Sequence, residues 1–231
     1  MGDSADPAIL EVTGNLEAVA ARIADAAGLA GREPAGVTLV AVSKSQTETR
    51  IVAALAAGQR VFGENRIQEA QTRWPQLREI HPGVELHFVG HLQSNKAAEA
   101  VALFDVIQSV DRIKLARALA REMKRQGRHP RCFIQVNTGE EPQKGGAAPA
   151  EVADLVALCR NELGIEVAGL MCIPPAGQEP APHFALLAKL AAECGLSGLS
   201  MGMSGDYETA VRLGATHVRV GTAIFGERVP R

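Results

Sequence analysis

At 231 residues the chain has room for one large domain or two small ones, and 46% apolar residues supply a sizeable core. A formal net charge of −2 gives no pull toward nucleic acid or an anionic membrane, and 3% aromatic residues argue against base-stacking platforms. No apolar run is long enough to span a bilayer, and the start "MGDSADPAIL" lacks the basic-then-apolar order of a secretory signal. Asp6 also stands where a myristoylation signal places Ser or Thr, so a cytoplasmic protein is expected.

A helix is expected first, around residues 8 to 30. Eight apolar runs rich in Val and Ile then alternate with Ala/Leu-rich helical stretches. They are "VTLVAVSK" (37–44), "RVFGEN" (60–65), "ELHFVG" (85–90), "DVIQSVD" (105–111), "CFIQVN" (132–137), "IEVAGLMC" (165–172), "LSGLSMGM" (196–203) and "HVRVG" (217–221). In "TETRIVAALAAG", Ile51, Ala54, Leu55 and Gly58 fall on one helical face; Thr47 or a neighbour is the expected cap and Gly58 the stop. Strands buried on both faces and separated by helices imply right-handed crossovers and a parallel sheet. Eight such units predict an α/β chain closed as a single (β/α)₈ barrel of the TIM type over residues 1–231, with an extra N-terminal helix. An open doubly wound sheet is the competing fold. "TGEEPQKGGAAPAE" (138–151) reads as a lid or βα-loop rather than a domain boundary.

In a barrel the strand ends carry the site. Here they are polar: Lys44, Asn65, His91, Asp111, Asn137, Ser204 and Arg219. Alternation puts Lys44 on the face of Val42 and Val40, and Arg219 on that of His217, so an ammonium and a guanidinium converge on the mouth. "MGMSGD" (201–206) and "VGTAIFGE" (220–227) follow the seventh and eighth strands, where barrels often bind phosphate. Gly221 lets backbone approach a ligand, Ser204 and Thr222 donate hydroxyls, and a following helix N-terminus favours negative charge. A phosphate site opposite a strand-end lysine points to a phosphorylated aldehyde held as a Schiff base, with pyridoxal 5′-phosphate the obvious cofactor. Arg219, which cannot release its proton, would then donate to an unprotonated ring nitrogen and disfavour carbanion chemistry.

These motifs resemble the YggS/PROSC family of pyridoxal-phosphate homeostasis proteins, similar to the barrel domain of alanine racemase standing alone. The resemblance runs from about Val37 to Arg228 through "AVSKSQ", "FGENRIQEA", "HFVGHLQSNKA", "IQSVD", "QVNTGEEPQKGG", "GLMCIPP" and "LSMGMSGDYETAVRLGATHVRVGTAIFGER". It implies Lys44 as the Schiff-base lysine, and Asn65, Ser204, Gly221 and Thr222 holding the cofactor with Arg219 on its ring nitrogen. Cys172 stands where members usually have a small residue or threonine, which would alter redox sensitivity, and Gly205 where alanine is common.

The remaining residues read more plainly. Cys132, Cys159, Cys172 and Cys194 lack the spacing of a zinc or redox clasp and read as free thiols, and no metal is expected. His87, His91 and His217 read as packing or hydrogen-bonding groups and Met171 as core. Ser94 or Asn95 is the expected cap of a helix in "HLQSNKAAEA", with Lys96 solvated, and "REMKRQGRHPR" (121–131) as a basic helix end. Three functional classes stand beside one another: a carrier that buffers or delivers the cofactor, a cofactor-dependent racemase, and a barrel enzyme whose Lys44 binds a phosphorylated substrate. The carrier is the reading adopted, with dependent apoenzymes as partners and a monomer expected. A two-base racemase needs a second acceptor, the chain ends soon after the eighth strand, and Tyr207 is poorly placed for that role.

Overall fold

A computed structural model of the chain describes residues 7–227. Asp6 and the Arg228 end of the last motif lie outside the described residues. The strands are β1 (Thr38–Val42), β2 (Val61–Glu64), β3 (Glu85–Phe88), β4 (Val106–Val110), β5 (Arg131–Val136), β6 (Val167–Cys172), β7 (Gly198–Ser200) and β8 (His217–Val220). All pair in parallel in chain order, and β8 returns to β1 with Thr38 opposite His217 and Ala41 opposite Val220. The sheet is therefore a closed barrel, which rules out the open doubly wound alternative.

The helices are α1 (Pro7–Leu29), α2 (Glu48–Ala56), α3 (Ile67–Ile80), α4 (Ala97–Leu103), α5 (Ile113–Gln126), α6 (Val152–Ala157), α7 (Pro180–Glu193), α8 (Tyr207–Arg212) and α9 (Thr222–Phe225). α2 turns Ile51, Ala54 and Leu55 inward, as their spacing predicts, and burial of Ile51 and Leu55 contributes about 1.5–3 kcal/mol each. Thr47 does occupy the N-cap position of α2, but its side chain makes no capping hydrogen bond. Ser94 and Asn95 likewise form a short 3₁₀ turn before α4 rather than a side-chain cap. α5 stops at Gly127, whose φ of 64° is the left-handed conformation glycine adopts freely.

Two apolar layers result. Outward strand residues such as Ala41, Phe62, Ile107 and Val218 pack beneath the helices, while Val106, Phe133 and Met171 form a separate cluster inside the barrel. α1 buries Val12, Leu16, Val19 and Ile23 at helical spacing and packs on α2, α8 and α9. The seventh strand is three residues long, shorter than its apolar run. Gly202 ends it with a φ of 92°, and a Cβ there would lie 2.6 Å from the Ala210 Cβ. That bend carries the chain from β7 into the Ser204 turn.

Candidate functional site

A cavity of about 810 Å³ opens at the C-terminal mouth of the barrel. Lys44, Asn65, Ser204, Arg219, Gly221 and Thr222, drawn from four strand ends, all line it. Lys44 follows β1 on the inward face of Val40 and Val42, and is half-buried. The turn bearing it contains Ser45 at a φ of 59°, a left-handed conformation uncommon for serine. That turn is held from behind. Ser43 donates to Glu64 Oε1 at 2.7 Å, Trp74 Nε1 and Arg73 Nη1 donate to the same oxygen at 3.1 and 3.2 Å, and Arg73 Nη2 reaches the Gln46 carbonyl at 2.9 Å. Burial raises the Glu64 carboxyl above the usual carboxylate value, while the Ser43 and Trp74 hydrogen bonds and the Arg73 charge pull it back. The sequence reading did not single out this clamp; its signal is a glutamate inside the apolar run "RVFGEN".

Asn65 stands one residue past β2. Its backbone packs so closely on Gly90 that a Cβ there would sit 2.3 Å from the Asn65 carbonyl oxygen, so the β2–β3 mouth needs a glycine. The Ser204 turn is closed by Asp206, whose Oδ1 accepts the Met203 N–H at 2.6 Å. Ser204 Oγ accepts the Ala223 N–H at 3.3 Å, which ties the β7 turn to α9 and leaves the hydroxyl proton for another acceptor. Gly221 immediately precedes α9, with Thr222 its first residue.

Arg219 is not a rim residue. It sits one layer down, 4% exposed, within β8. Nη1 donates to Ser200 Oγ at 2.6 Å and Nη2 to the Cys172 carbonyl at 2.8 Å. Among the described residues no carboxylate forms an ion pair with it within 4.0 Å, and burial pushes the guanidinium below its ordinary value, opposed by Cys172 and Asp206. A buried cation with neutral partners on the wall of a cavity matches an incoming acceptor.

Other expected rim groups are distributed differently. His91, Asn137 and Lys144 line the same cavity, with Lys144 paired to Glu141 at 2.7 Å. The loop after β5 folds back over this mouth, with Ala147 bridging Val136 and Asn137 bonding Glu141 through both amide atoms. Asp111 turns aside to Arg112 and stands 4.0 Å from His91. His87 lies inside the barrel on Glu85 and Gln108, and His217 beside it. The Cys172 thiol faces the outer core, fully buried, and burial pushes it up to about 12, which disfavours the reactive thiolate. Tyr207 is buried on α8 with Arg22 over its ring and does not line the cavity. Lys96 is partly exposed, as expected, and pairs with Glu99 at 2.9 Å. In the basic run, Arg121 and Arg125 pair with Glu122, and Arg131 with Glu85.

The family model for the alanine racemase N-terminal domain matches residues 14–229. A pyridoxal phosphate homeostasis protein of Pseudomonas aeruginosa is 42% identical over 93% of this chain and 94% of its own. That of Escherichia coli is 37% identical over 94% of this chain and 97% of its own. PipY of Synechococcus elongatus, solved with pyridoxal phosphate bound, is 42% identical, covering 88% of this chain and all of its own, with a TM-score of 0.76. Solved without the cofactor it reaches a TM-score of 0.80 at 40% identity, over 90% of this chain and 99% of its own. An alanine racemase from Corynebacterium glutamicum shares the fold at 21% identity and a TM-score of 0.67, over 93% of this chain and 62% of its own. With relatives this similar over nearly the whole length, the chain belongs to the alanine racemase N-terminal domain family, among its pyridoxal phosphate homeostasis proteins.

Proposed function

We propose that this chain binds pyridoxal 5′-phosphate at the barrel mouth, holds it as a Schiff base on Lys44, and buffers or delivers it in intracellular cofactor homeostasis without efficient catalysis of its own. The observation that carries this is the convergence of an amine, two hydroxyls and a buried guanidinium on one cavity of about 810 Å³. The names of the Pseudomonas and Escherichia relatives, and the cofactor in PipY, support the same ligand here.

The donor set fits the group. When bound, the cofactor supplies an aldehyde that condenses with a primary amine, and a ring that accepts electrons. Lys44 brings the amine, with its turn fixed by the Glu64 clamp. Ser204 and Thr222 bring hydroxyls, and Gly221 close backbone, to a doubly charged phosphate. Asn65, after β2, lines the wall on the other side of Lys44's strand from them. Arg219 only donates, so it matches a ring nitrogen that carries a lone pair and keeps that nitrogen unprotonated. Such a ring is a poor electron sink, which favours storage over turnover. Tyr207, buried away from the cavity, offers no second base.

The same reading takes residues 1–231 as one cofactor-binding domain, acting as a cytoplasmic monomer with pyridoxal-phosphate-dependent apoenzymes as recipients. No described helix is long and apolar enough to cross a membrane. Borohydride reduction of the cofactor-loaded protein, followed by peptide mass mapping, is expected to find a phosphopyridoxyl group on Lys44 and none in Lys44→Ala. Full-occupancy labelling of another lysine in the alanine variant would overturn the assignment.

A further inference from the structure

Beneath the cavity, the barrel interior is threaded by polar side chains where apolar ones are the rule. His87 of β3, Gln108 of β4 and Ser200 of β7 are completely buried, and Arg219 of β8 nearly so. They form one continuous line. Arg219 Nη1 lies 2.6 Å from Ser200 Oγ, Ser200 Oγ 2.6 Å from Gln108 Oε1, and Gln108 Nε2 2.7 Å from His87 Nδ1. His87 Nε2 then lies 2.6 Å from Glu85 Oε1, and Arg131 donates to Glu85 Oε2 at 2.6 Å. Glu85 opens β3, so the line runs from the cavity to the opposite end of the barrel.

Each link has a single direction. A guanidinium only donates, so Ser200 accepts from Arg219 and has one proton left, which goes to Gln108 Oε1. The amide is thereby oriented with its NH₂ toward His87, so His87 Nδ1 presents a lone pair and its proton sits on Nε2, donating to Glu85. That hydrogen bond, with Arg131 alongside, holds the Glu85 carboxyl below the usual carboxylate range. His217, whose ring centroid is 6.0 Å from that of His87, is driven down to about 4 by burial and is neutral beside the line. A fully satisfied buried network of this kind locks rotamers, whereas a half-satisfied one is costly.

We propose that Ser200, Gln108 and His87 are positioning residues for Arg219: the one-way line anchored on Glu85 holds the guanidinium so that its remaining N–H groups meet the ring nitrogen of the cofactor. This rests on the cofactor reading above. It predicts that disturbing the interior line changes how the ring nitrogen is read while leaving the Lys44 linkage and the phosphate cradle in place.

The test compares the native protein with Gln108→Met, Ser200→Ala and Ser200→Thr. Each is titrated with pyridoxal 5′-phosphate and with its 1-deaza analogue, which carries C–H in place of the ring nitrogen. The native protein is expected to prefer the true cofactor. Gln108→Met and Ser200→Ala are expected to lose about tenfold of that preference, the scale of one charge-assisted hydrogen bond, and Ser200→Thr, which keeps the hydroxyl, to restore it. Lys44 labelling by borohydride is expected to persist in all of them. An unchanged preference in variants that still label Lys44 would overturn the positioning role, whereas absence of labelling in the native protein would instead overturn the cofactor reading. Ring nitrogen-15 shifts of His87 in the cofactor-free native protein give a second readout that needs no variant to fold. The Nε2–H tautomer is expected, and an Nδ1–H tautomer would refute the line.

Discussion

Replacing Glu64 by alanine tests the clamp behind Lys44. Its Oε1 is the shared acceptor for Ser43, Trp74 and Arg73. Ser43, Glu64 and Trp74 are all completely buried, so truncation strands a hydroxyl and an indole N–H with no water to replace the carboxylate. Each stranded donor costs about 1–3 kcal/mol. Arg73 suffers less, because it keeps the Gln46 carbonyl and is partly exposed. Removal of the buried methylenes adds about 1 kcal/mol or more, while relief of a carboxyl whose burial is unfavourable gives some back. The net expectation is a loss of about 3–5 kcal/mol. Glu64→Gln keeps one acceptor oxygen for Ser43 and Trp74 and loses only the charge opposite Arg73, for about 1 kcal/mol. Lys44→Ala, which removes a half-buried side chain at the cavity, is expected to cost no more than about 1 kcal/mol. Urea unfolding followed by circular dichroism, with the midpoints compared at constant slope, ranks the three. Should Glu64→Ala unfold within about 1 kcal/mol of the native protein, the carboxylate is not what holds this turn.

Ser204→Ala and Thr222→Val each remove a hydroxyl facing the cradle, for about 1.5–3 kcal/mol, so pyridoxal 5′-phosphate is retained one to two decades less tightly. Binding of pyridoxal, which lacks the phosphate, is expected to change little, and equal weakening of both ligands would move the phosphate elsewhere. The second concerns acid: burial holds the His217 imidazole at about 4, below the ordinary value of 6.5, with Arg131 and Arg219 adding to the shift and Glu85 opposing it. Between those values the unfolded chain takes up a proton that the folded barrel refuses, so stability falls by up to roughly 1.4 kcal/mol per pH unit as pH drops from 6.5 toward 4. Urea unfolding at pH 7 and pH 5 is expected to show a smaller difference in His217→Asn than in the native protein; an equal difference assigns the acid sensitivity to other groups.

The barrel was legible because the strands, mostly buried on both faces, read as eight short apolar runs with a helical stretch between each pair. The ends of those strands were less so. Apolar runs continue past β7 because Met201 and Met203 are hydrophobic, yet Gly202 between them turns the chain, a backbone event that hydropathy does not record. The residues lining the mouth were readable: Lys44 by alternation with Val40 and Val42, Asn65 as a polar strand end, and Ser204, Gly221 and Thr222 from the small-residue turns after β7 and β8. The depth of Arg219 was not, because it depends on how far β8 is staggered against β1. Gln108 and Glu64 carried a visible signal, a polar residue in an apolar strand, but only the closed sheet shows what they touch. Thr47 holds the expected N-cap position of α2 without a capping hydrogen bond, whereas Ser94 misses the cap of α4 because the 3₁₀ turn Ser94–Lys96 comes first and leaves Lys96 at that position.

The N-terminal helix is more than an addition to the barrel. Asn15 of α1 donates to the Ile224 carbonyl at 3.0 Å, and Arg50 of α2, itself paired with Glu11 of α1 at 3.0 Å, donates to the Phe225 carbonyl. Those carbonyls end α9, the short helix that begins with Thr222 at the cavity, so α1 is the back wall against which the cradle is braced. A minimal barrel cut at residue 30 would bare the surfaces of α2, α8 and α9 that pack on Val12, Leu16, Val19 and Ile23, strip the Ile224 carbonyl of Asn15, and take Glu11 from the Arg50 that holds the Phe225 carbonyl. For anyone trimming, fusing or circularly permuting this protein, the usable boundary therefore lies before α1, not at the first strand.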